Sequence, residues 1–442
     1  MPPIRSALPG RTRLPAALDV LLLVVGLLLL LRTPRFVGSD GTVRLDAVRA
    51  LADGRIPDMT FSLVMPIVAM PLHWLGAIRD NSEQLLYVAN GLLLALAVGV
   101  LWSLLRPLGG ATARRFLLLL VFGSMAPAHV NSFYGEMLTA VCVVIGLVAV
   151  TVSPSRAVQV VGWVLLVLGV VNTPAAAPAL ALVAVVHVLW TRRPWALLAL
   201  AVTAALILLD LRLRTGGFSS SYTETAGYRT VLPYSGLPGF SYPLGFGLLA
   251  VLLSFGKGLV FFSPGLFLPV LRRLDLRLRP AYVLLAFFVA GLVLVYSRWW
   301  SWYGGYYWGP RFFLIAGVVA ALVLAVRLST PERSLAGALV TLGALMLSSW
   351  VAATAVLGNV GQDGCQANGY ALEHLCWYTP EFSVLWAPLL AWPPTSLPQK
   401  AFLLLVAVVH VRLALPLWGE VVRRLRGGRA ELLSGRWVGA RS

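Results

Sequence analysis

Charge is scarce in this chain. Of 442 residues only 12% are Asp, Glu, Lys or Arg, against 59% that are hydrophobic. A soluble domain carries about a quarter charged residues, so that class is excluded. Lysine is nearly missing, with Lys257 and Lys400 the only two. Arginine carries almost all the basic charge, as codon usage in a GC-rich genome would produce. No Walker loop, glycine-rich dinucleotide fingerprint, HExxH or Cys/His metal spacing is present, which removes support for nucleotide-driven transport and for a zinc hydrolase. There is no internal repeat, low-complexity tract or separate soluble domain. Cysteine is limited to three residues. Cys142 lies in an apolar run and reads as a small core residue. Cys365 and Cys376 share one polar loop; they are a disulfide candidate if that loop faces an oxidising compartment, and two free thiols otherwise.

What the chain has is apolar length. Runs long enough to cross a bilayer as helices recur throughout, and lipid requires backbone groups to be satisfied within each run. The pattern predicts an all-α polytopic membrane protein. Candidate spans are 16–34, 84–105, 114–130, 135–152, 156–173, 175–190, 195–211, 259–271, 281–297, 311–327, 335–357 and 399–418, about 12 in all (11–13). Arg5, Arg11 and Arg13 lead into the first run without a small-x-small cleavage site, so it reads as an uncleaved helix. The net charge of +18 would suit nucleic acid. The arginines, however, lie in short inter-helix loops (Arg106, Arg114 and Arg115; Arg192 and Arg193; Arg272, Arg273, Arg277 and Arg279; Arg327 and Arg333). The positive-inside rule places those loops, and both termini, in the cytoplasm. No nucleic-acid partner is expected. Residues 1–420 then form a single transmembrane domain, and 421–442 a basic cytoplasmic tail.

The outer face receives the loops 35–83, 212–258, 296–311 and 358–398, the short turn Asn131–Glu136, and most of the carboxylates. Segment 61–78 is apolar enough to span, but counting it would invert the charge rule, and Pro66 and Pro71 interrupt it. It is expected to lie along the outer interface, after a short amphipathic helix within 38–54 carrying Leu45, Val48 and Leu51.

The densest feature is 296–311, Tyr-Ser-Arg-Trp-Trp-Ser-Trp-Tyr-Gly-Gly-Tyr-Tyr-Trp-Gly-Pro-Arg, with eight aromatics, three glycines and two arginines in sixteen positions. An aromatic belt explains part of it; contact with a ligand by Trp300, Trp302, Tyr303 and Trp308 explains the density. Arg298 and Arg311 are anchors or phosphate ligands. Ser39 or Asp40 caps a helix, or Asp40 is a carboxylate at the mouth of an outer cavity, or Asp40 does both. Asp46 is a solvated helix residue or a second carboxylate. Glu136 opens an apolar run, as a favourable anion at a helix N-terminus or as a site residue. Lys257, flanked by glycines, is a snorkelling cation or a phosphate ligand. His129, His187 and His410 read as packing residues.

Three stretches together resemble the GT-C superfamily of integral-membrane glycosyltransferases, especially the bacterial polyprenyl-phosphate-sugar-dependent mannosyl- and arabinosyltransferase-like members. They are Ser39-Asp40-Gly41-Thr42-Val43-Arg44 in the first loop, the Ser-x-Gly-Lys-Gly-Leu…Ser-Pro segment from Ser254 to Pro264, and the Trp-rich Gly-Gly-x-x-x-Gly-Pro-Arg segment from Trp302 to Arg311. Many relatives have Asp-Glu in the first loop, whereas Gly41 follows Asp40 here. A soluble carbohydrate-binding domain, often appended in relatives, is not expected here.

The resemblance implies inverting transfer of a sugar from a polyprenyl-phosphate donor to an extracytoplasmic glycan, glycolipid or protein acceptor, at the bacterial inner membrane and on its outer side. Asp40 would be the base, with Asp46 or Glu136 second. Arg44, Glu136, Lys257, Arg298 and Arg311 would bind substrate or donor phosphate. No cofactor is required; dependence on a divalent metal and the oligomeric state stay open. The alternative is a lipid-linked-sugar transporter or flippase that cleaves no bond. Its best residue would be Asp210, although Arg214 lies one turn away and can pair with it.

Overall fold

The computed structural model describes residues 13–36, 38–218 and 229–433, and among them every regular element is helical. The principal helices are α1 (Arg13–Leu30), α2 (Asp40–Ala52), α3 (Val64–Ala77), α4 (Ser82–Tyr87), α5 (Ala89–Phe122), α6 (Glu136–Val152), α7 (Arg156–Asn172), α8 (Ala177–Thr191), α9 (Trp195–Thr215) and α10 (Leu244–Leu253). There follow α11 (Arg279–Tyr296), α12 (Leu314–Ser329), α13 (Leu335–Ala355), α14 (Gln362–Tyr370), α15 (Glu373–Tyr378) and α16 (Leu397–Leu433). Among the described residues seven helices are long and apolar enough to cross a membrane, and α1, α6 and α7 are shorter apolar helices.

Side-chain contacts sort the helix ends into two groups. At one end Asn131 Nδ2 donates to Leu30 O (2.6 Å) and Thr33 O (2.9 Å), which satisfies carbonyls left open where α1 stops. Asn90 Nδ2 donates to Ser132 O (2.7 Å) and Tyr134 O (2.9 Å). The start of α5 and the turn after it therefore lie side by side. Helix α5 is two spans folded back on each other, broken at Gly109 (φ 162°, ψ 91°) just after Pro107. The expected loop between spans 84–105 and 114–130 shrinks to that one break. At the other end Asp19 pairs with Arg114 (3.1 Å) and Arg412 (2.7 Å), and Glu332 pairs with Arg273 (2.6 Å) and Arg327 (2.8 Å). Repeated passes of the chain between the two ends account for this order of contacts.

One of those passes is irregular. The run expected as a helical span over 259–271 is broken by Ser263, Pro264 and Gly265 into short helical turns, Leu259–Phe262 and Pro264–Phe267. It descends against α12: a Cβ on Gly265 would lie 2.4 Å from Ala320 O. Non-helical backbone at this depth is tolerated because protein surrounds it. Helix α12 is the axis of the bundle, buried along nearly its whole length. With lipid outside, such helices associate by close packing rather than by excluding water. Between α6 and α7, Gly146 and Gly162 meet so closely that a Cβ on Gly146 would stand 2.7 Å from Gly162 O.

Segment 61–78 does not cross. Leu63 N, at the start of α3, donates to Asp210 Oδ1 (2.9 Å), and α3 returns through α4 to Asn90 at the same end. Its Ile67, Trp74, Leu75 and Ile78 are exposed, while Met65 and Ala69 pack with Leu45 and Val48 of α2. The segment expected as a tail from 421 continues α16 as helix to Leu433; 434–442 lie outside the described residues.

Candidate functional site

The carboxylates that the sequence singled out come from different segments. Asp40 is the first residue of α2, Glu136 the first of α6, and Arg311 follows the glycine-rich loop that leads into α12. One nitrogen, Arg311 Nη1, reaches both acids: Asp40 Oδ2 at 2.7 Å and Glu136 Oε1 at 3.3 Å. The side chains are 19%, 11% and 12% exposed for Asp40, Glu136 and Arg311, so the cluster is shielded but not sealed. Glu136 Oε2 and Arg311 Nε make no hydrogen bond.

Asp40 is not the N-cap expected as one reading. Ser39 holds that position at φ 50° without a side-chain cap, and its Oγ donates instead to Asp40 Oδ1 (3.1 Å). Burial pushes the Asp40 carboxyl up, but the charges of Arg311 and Arg44, with the bonds from Arg311 and Ser39, outweigh it and hold the group below its ordinary value. Arg44 donates to Asp40 O (3.0 Å) and lies 4.0 Å from the Phe61 ring centroid, a cation–π contact.

Aromatic rings wall the cluster. Arg311 sits over Tyr134 (5.1 Å) and Phe312 (5.2 Å). Tyr134 packs on Tyr307 (4.8 Å), which also meets His129 (5.0 Å) and Phe36 (5.7 Å). The Tyr307 hydroxyl donates to Ala128 O (2.7 Å) and lies 2.9 Å from Ser132 Oγ. Burial, with Arg311 and Lys257 nearby, pushes the His129 ring down to about 3, so it is neutral at pH 7. Burial likewise pushes the Tyr134 phenol up to about 12.

Several expected site residues stand elsewhere. Asp46 is 61% exposed and pairs with Arg49 (2.8 Å), which also holds Glu83 (3.0 Å); it is the solvated helix residue of its alternative reading. Arg298 donates to Phe240 O (3.2 Å) on the surface. Trp300, Trp302, Tyr303 and Trp308 are buried, packing inward: Tyr303 stacks on Trp377 (4.5 Å) and Trp308 meets Phe262 edge-on (5.4 Å). Lys257 is 1% exposed, and its ammonium donates to three carbonyls, Gly305 (3.1 Å), Tyr307 (2.5 Å) and Gly309 (2.8 Å). Those bonds use its three protons, so the phosphate role expected for it has no free donor. The transporter candidate Asp210 is also engaged, by Arg214 Nε (3.1 Å), Leu63 N (2.9 Å) and Ser62 Oγ (3.2 Å).

Cys365 and Cys376 are joined in a disulfide, Cα atoms 5.9 Å apart, in the loop that carries Trp377. Among the described residues no group of three or more His, Cys, Asp or Glu side chains gathers as a metal site would. Tyr134, Tyr307 and His129 line the cluster but were not assigned to a site from sequence. Tyr134 was signalled only by the polar interruption Asn131-Ser-Phe-Tyr-Gly-Glu136 between two apolar runs, and Tyr307 only by the aromatic density of 296–311.

No family model matches the chain, and no curated protein does. Among solved structures the fold is shared with the crystal structure of ArnT from Cupriavidus metallidurans in the apo state: TM-score 0.53, 17% identity, covering 93% of this chain and 78% of that one. That likeness establishes a shared helical fold and carries no residue assignment at this identity.

Proposed function

We propose that this chain is an integral-membrane glycosyltransferase that moves a sugar from a polyprenyl-phosphate donor to an acceptor hydroxyl. The observation that carries this reading is the pair of shielded carboxylates, Asp40 and Glu136, held on one nitrogen of Arg311. The site lies where the irregular loops gather, in a fold shared with ArnT. Asp40 is the base. It is kept ionised by its neighbours and sits on a helix end at the surface of the bundle.

In the reaction the acceptor oxygen attacks the anomeric carbon from the face opposite the phosphate, with inversion. The new C–O bond forms as the bond from that carbon to the phosphate oxygen breaks. The polyprenyl phosphate leaves with the electron pair, and the acceptor proton passes to Asp40. The transition state resembles an oxocarbenium ion, as in glycoside hydrolysis. Arg311, 2.7 Å from Asp40, would keep that base ionised and aimed on the acceptor side. Glu136 orients Arg311 or an acceptor hydroxyl. A phosphate is a sufficient leaving group without a general acid. The sugar and acceptor would be read by the walls around Tyr134 and Tyr307.

The test is purified protein in lipid with polyprenyl-phosphate sugars, scored for release of polyprenyl phosphate. Release that depends on acceptor and is lost in Asp40→Asn supports transfer. Movement of intact donor across vesicles without bond cleavage would establish the transporter alternative, for which Asp210 is no longer a free carboxylate.

A further inference from the structure

We propose that Lys257 is a positioning residue of this transferase site, setting Arg311 against Asp40 and Glu136 by holding the glycine-turned loop before it. The inference rests on the reading above.

The loop from Gly304 to Arg311 has little regular hydrogen bonding of its own. Gly304, Gly305 and Gly309 take φ of 71°, 75° and 62°, which favour glycine because a Cβ would clash with the following carbonyl. Two three-residue turns follow: Tyr307 N donates to Gly305 O (2.9 Å) and Arg311 N to Gly309 O (3.1 Å). Pro310, at φ −81° and ψ 75°, is the centre of the second. In both turns the first carbonyl is also an acceptor for Lys257 Nζ. Gly309 O is thus shared between the Lys257 ammonium and the backbone N–H of Arg311, the residue whose guanidinium bridges the two acids. The third carbonyl held is that of Tyr307, whose ring lies on Tyr134 and His129.

Lys257 is brought there by tight backbone packing. Gly256 N donates to Trp377 O (3.0 Å), and a Cβ on Gly256 would stand 2.1 Å from Cys376 O. The ammonium also lies 5.1 Å from the Trp377 ring centroid. Among the described residues it forms no ion pair with a carboxylate. Three carbonyls need three N–H groups, which only the protonated amine provides. An apolar replacement leaves the three carbonyls buried and frees the turns; arginine keeps the charge and donors in a different shape.

The experiment compares Lys257→Met, Lys257→Arg and the control Lys400→Met in nanodiscs. Hydrogen exchange is read over 302–313, and transfer is read as kcat, donor KM and pH profile. For Lys257→Met we expect faster exchange confined to that loop, kcat lowered at least tenfold, donor KM changed less than threefold, and an acid limb moved to higher pH. Lys257→Arg should recover part of each. The Lys400→Met control should match wild type. Unchanged loop exchange in a folded Lys257→Met protein overturns the proposal whether or not transfer is measurable. A raised donor KM with unchanged kcat and exchange assigns Lys257 to the donor phosphate instead and also overturns it. Absence of transfer in wild type removes the transferase reading while the exchange result still decides the loop-holding role. As an independent check, amine-reactive ester on the folded protein should modify Lys400 and spare Lys257; rapid labelling of both contradicts the buried ammonium.

Discussion

Arg311 Nη1 meets Asp40 Oδ2 at 2.7 Å across 271 residues of chain. The contact joins a helix start near the N-terminus to a glycine-rich loop two thirds of the way along. Removing either partner tests the site and leaves most of the fold alone.

Asp40→Asn should lower kcat by about 10²–10⁴-fold, the usual contribution of a positioned base. Glu136→Gln should cost less, roughly ten- to a hundredfold, as expected for the loss of one shielded charge contact to Arg311. Asp46→Asn should behave as wild type, because Asp46 is exposed and engaged only with Arg49. Steady-state transfer assays on the three variants check this; near-normal turnover of Asp40→Asn would sink the assigned base.

The pH dependence follows from opposing effects on Asp40. Burial raises its pKa, while Arg311 and Arg44 lower it further than burial lifts it. The base is therefore ionised well into acid, and its contribution to stability is present above the unfolded carboxyl pKa of about 4. That contribution is lost as pH falls through the lower folded value. In Arg311→Met burial remains and the larger cation is gone, so the acid limb of the pH–rate profile should move to higher pH. An unmoved limb would separate Arg311 from Asp40 in solution.

The Asp210–Arg214 pair should be structural. Its side chains are 8% and 5% exposed, and Arg214 also donates to Met59 O (2.7 Å) and Thr60 O (2.8 Å). Removing one partner leaves a buried charge alone, at a cost of about 3–5 kcal/mol. Asp210→Asn should lose stability by about that amount in detergent unfolding, and Asp210→Leu/Arg214→Leu should recover much of it. If Asp210→Asn unfolds like wild type, the pair does not clamp the segment before α3.

Replacing Cys365 and Cys376 with serine should cost about 2–4 kcal/mol, typical of a disulfide. The loss should reach Tyr303, which stacks on Trp377 beside Cys376. Thermal unfolding with tryptophan fluorescence reads both effects, and an unchanged melting midpoint would count against the bond as a brace.

The all-helical, membrane-crossing character was legible because lipid enforces it: each crossing needs a long apolar run, and seven described helices are long and apolar enough. The run at 259–271 misled for a physical reason. Protein on all sides lets Pro264 and Gly265 break the helix at depth, so apolar length no longer implies regular structure. Asp40, Glu136 and Arg311 each stood out as charges at the edge of apolar runs, but their partnership is made by packing that no local spacing encodes. The sequence left Lys257 undecided because glycines beside a lysine look the same whether the ammonium receives a phosphate or the carbonyls of its own chain. The rings of 296–311 were ambiguous for a similar reason, since inward packing, a belt and a ligand wall use the same residues.

The reversal at Gly109 bears on how the protein is made. Read as one rod, the 34 residues of α5 would measure about 51 Å at 1.5 Å per residue, far more than a bilayer core of about 30 Å. Folded at its glycine, the segment can enter the membrane as a paired hairpin with scarcely any connecting loop to carry across. Every later crossing inherits its direction from that fold-back. A straightened α5 would put Glu136 on the wrong side of the membrane from Asp40, so one backbone break near the middle of a helix decides whether the two acids can ever meet.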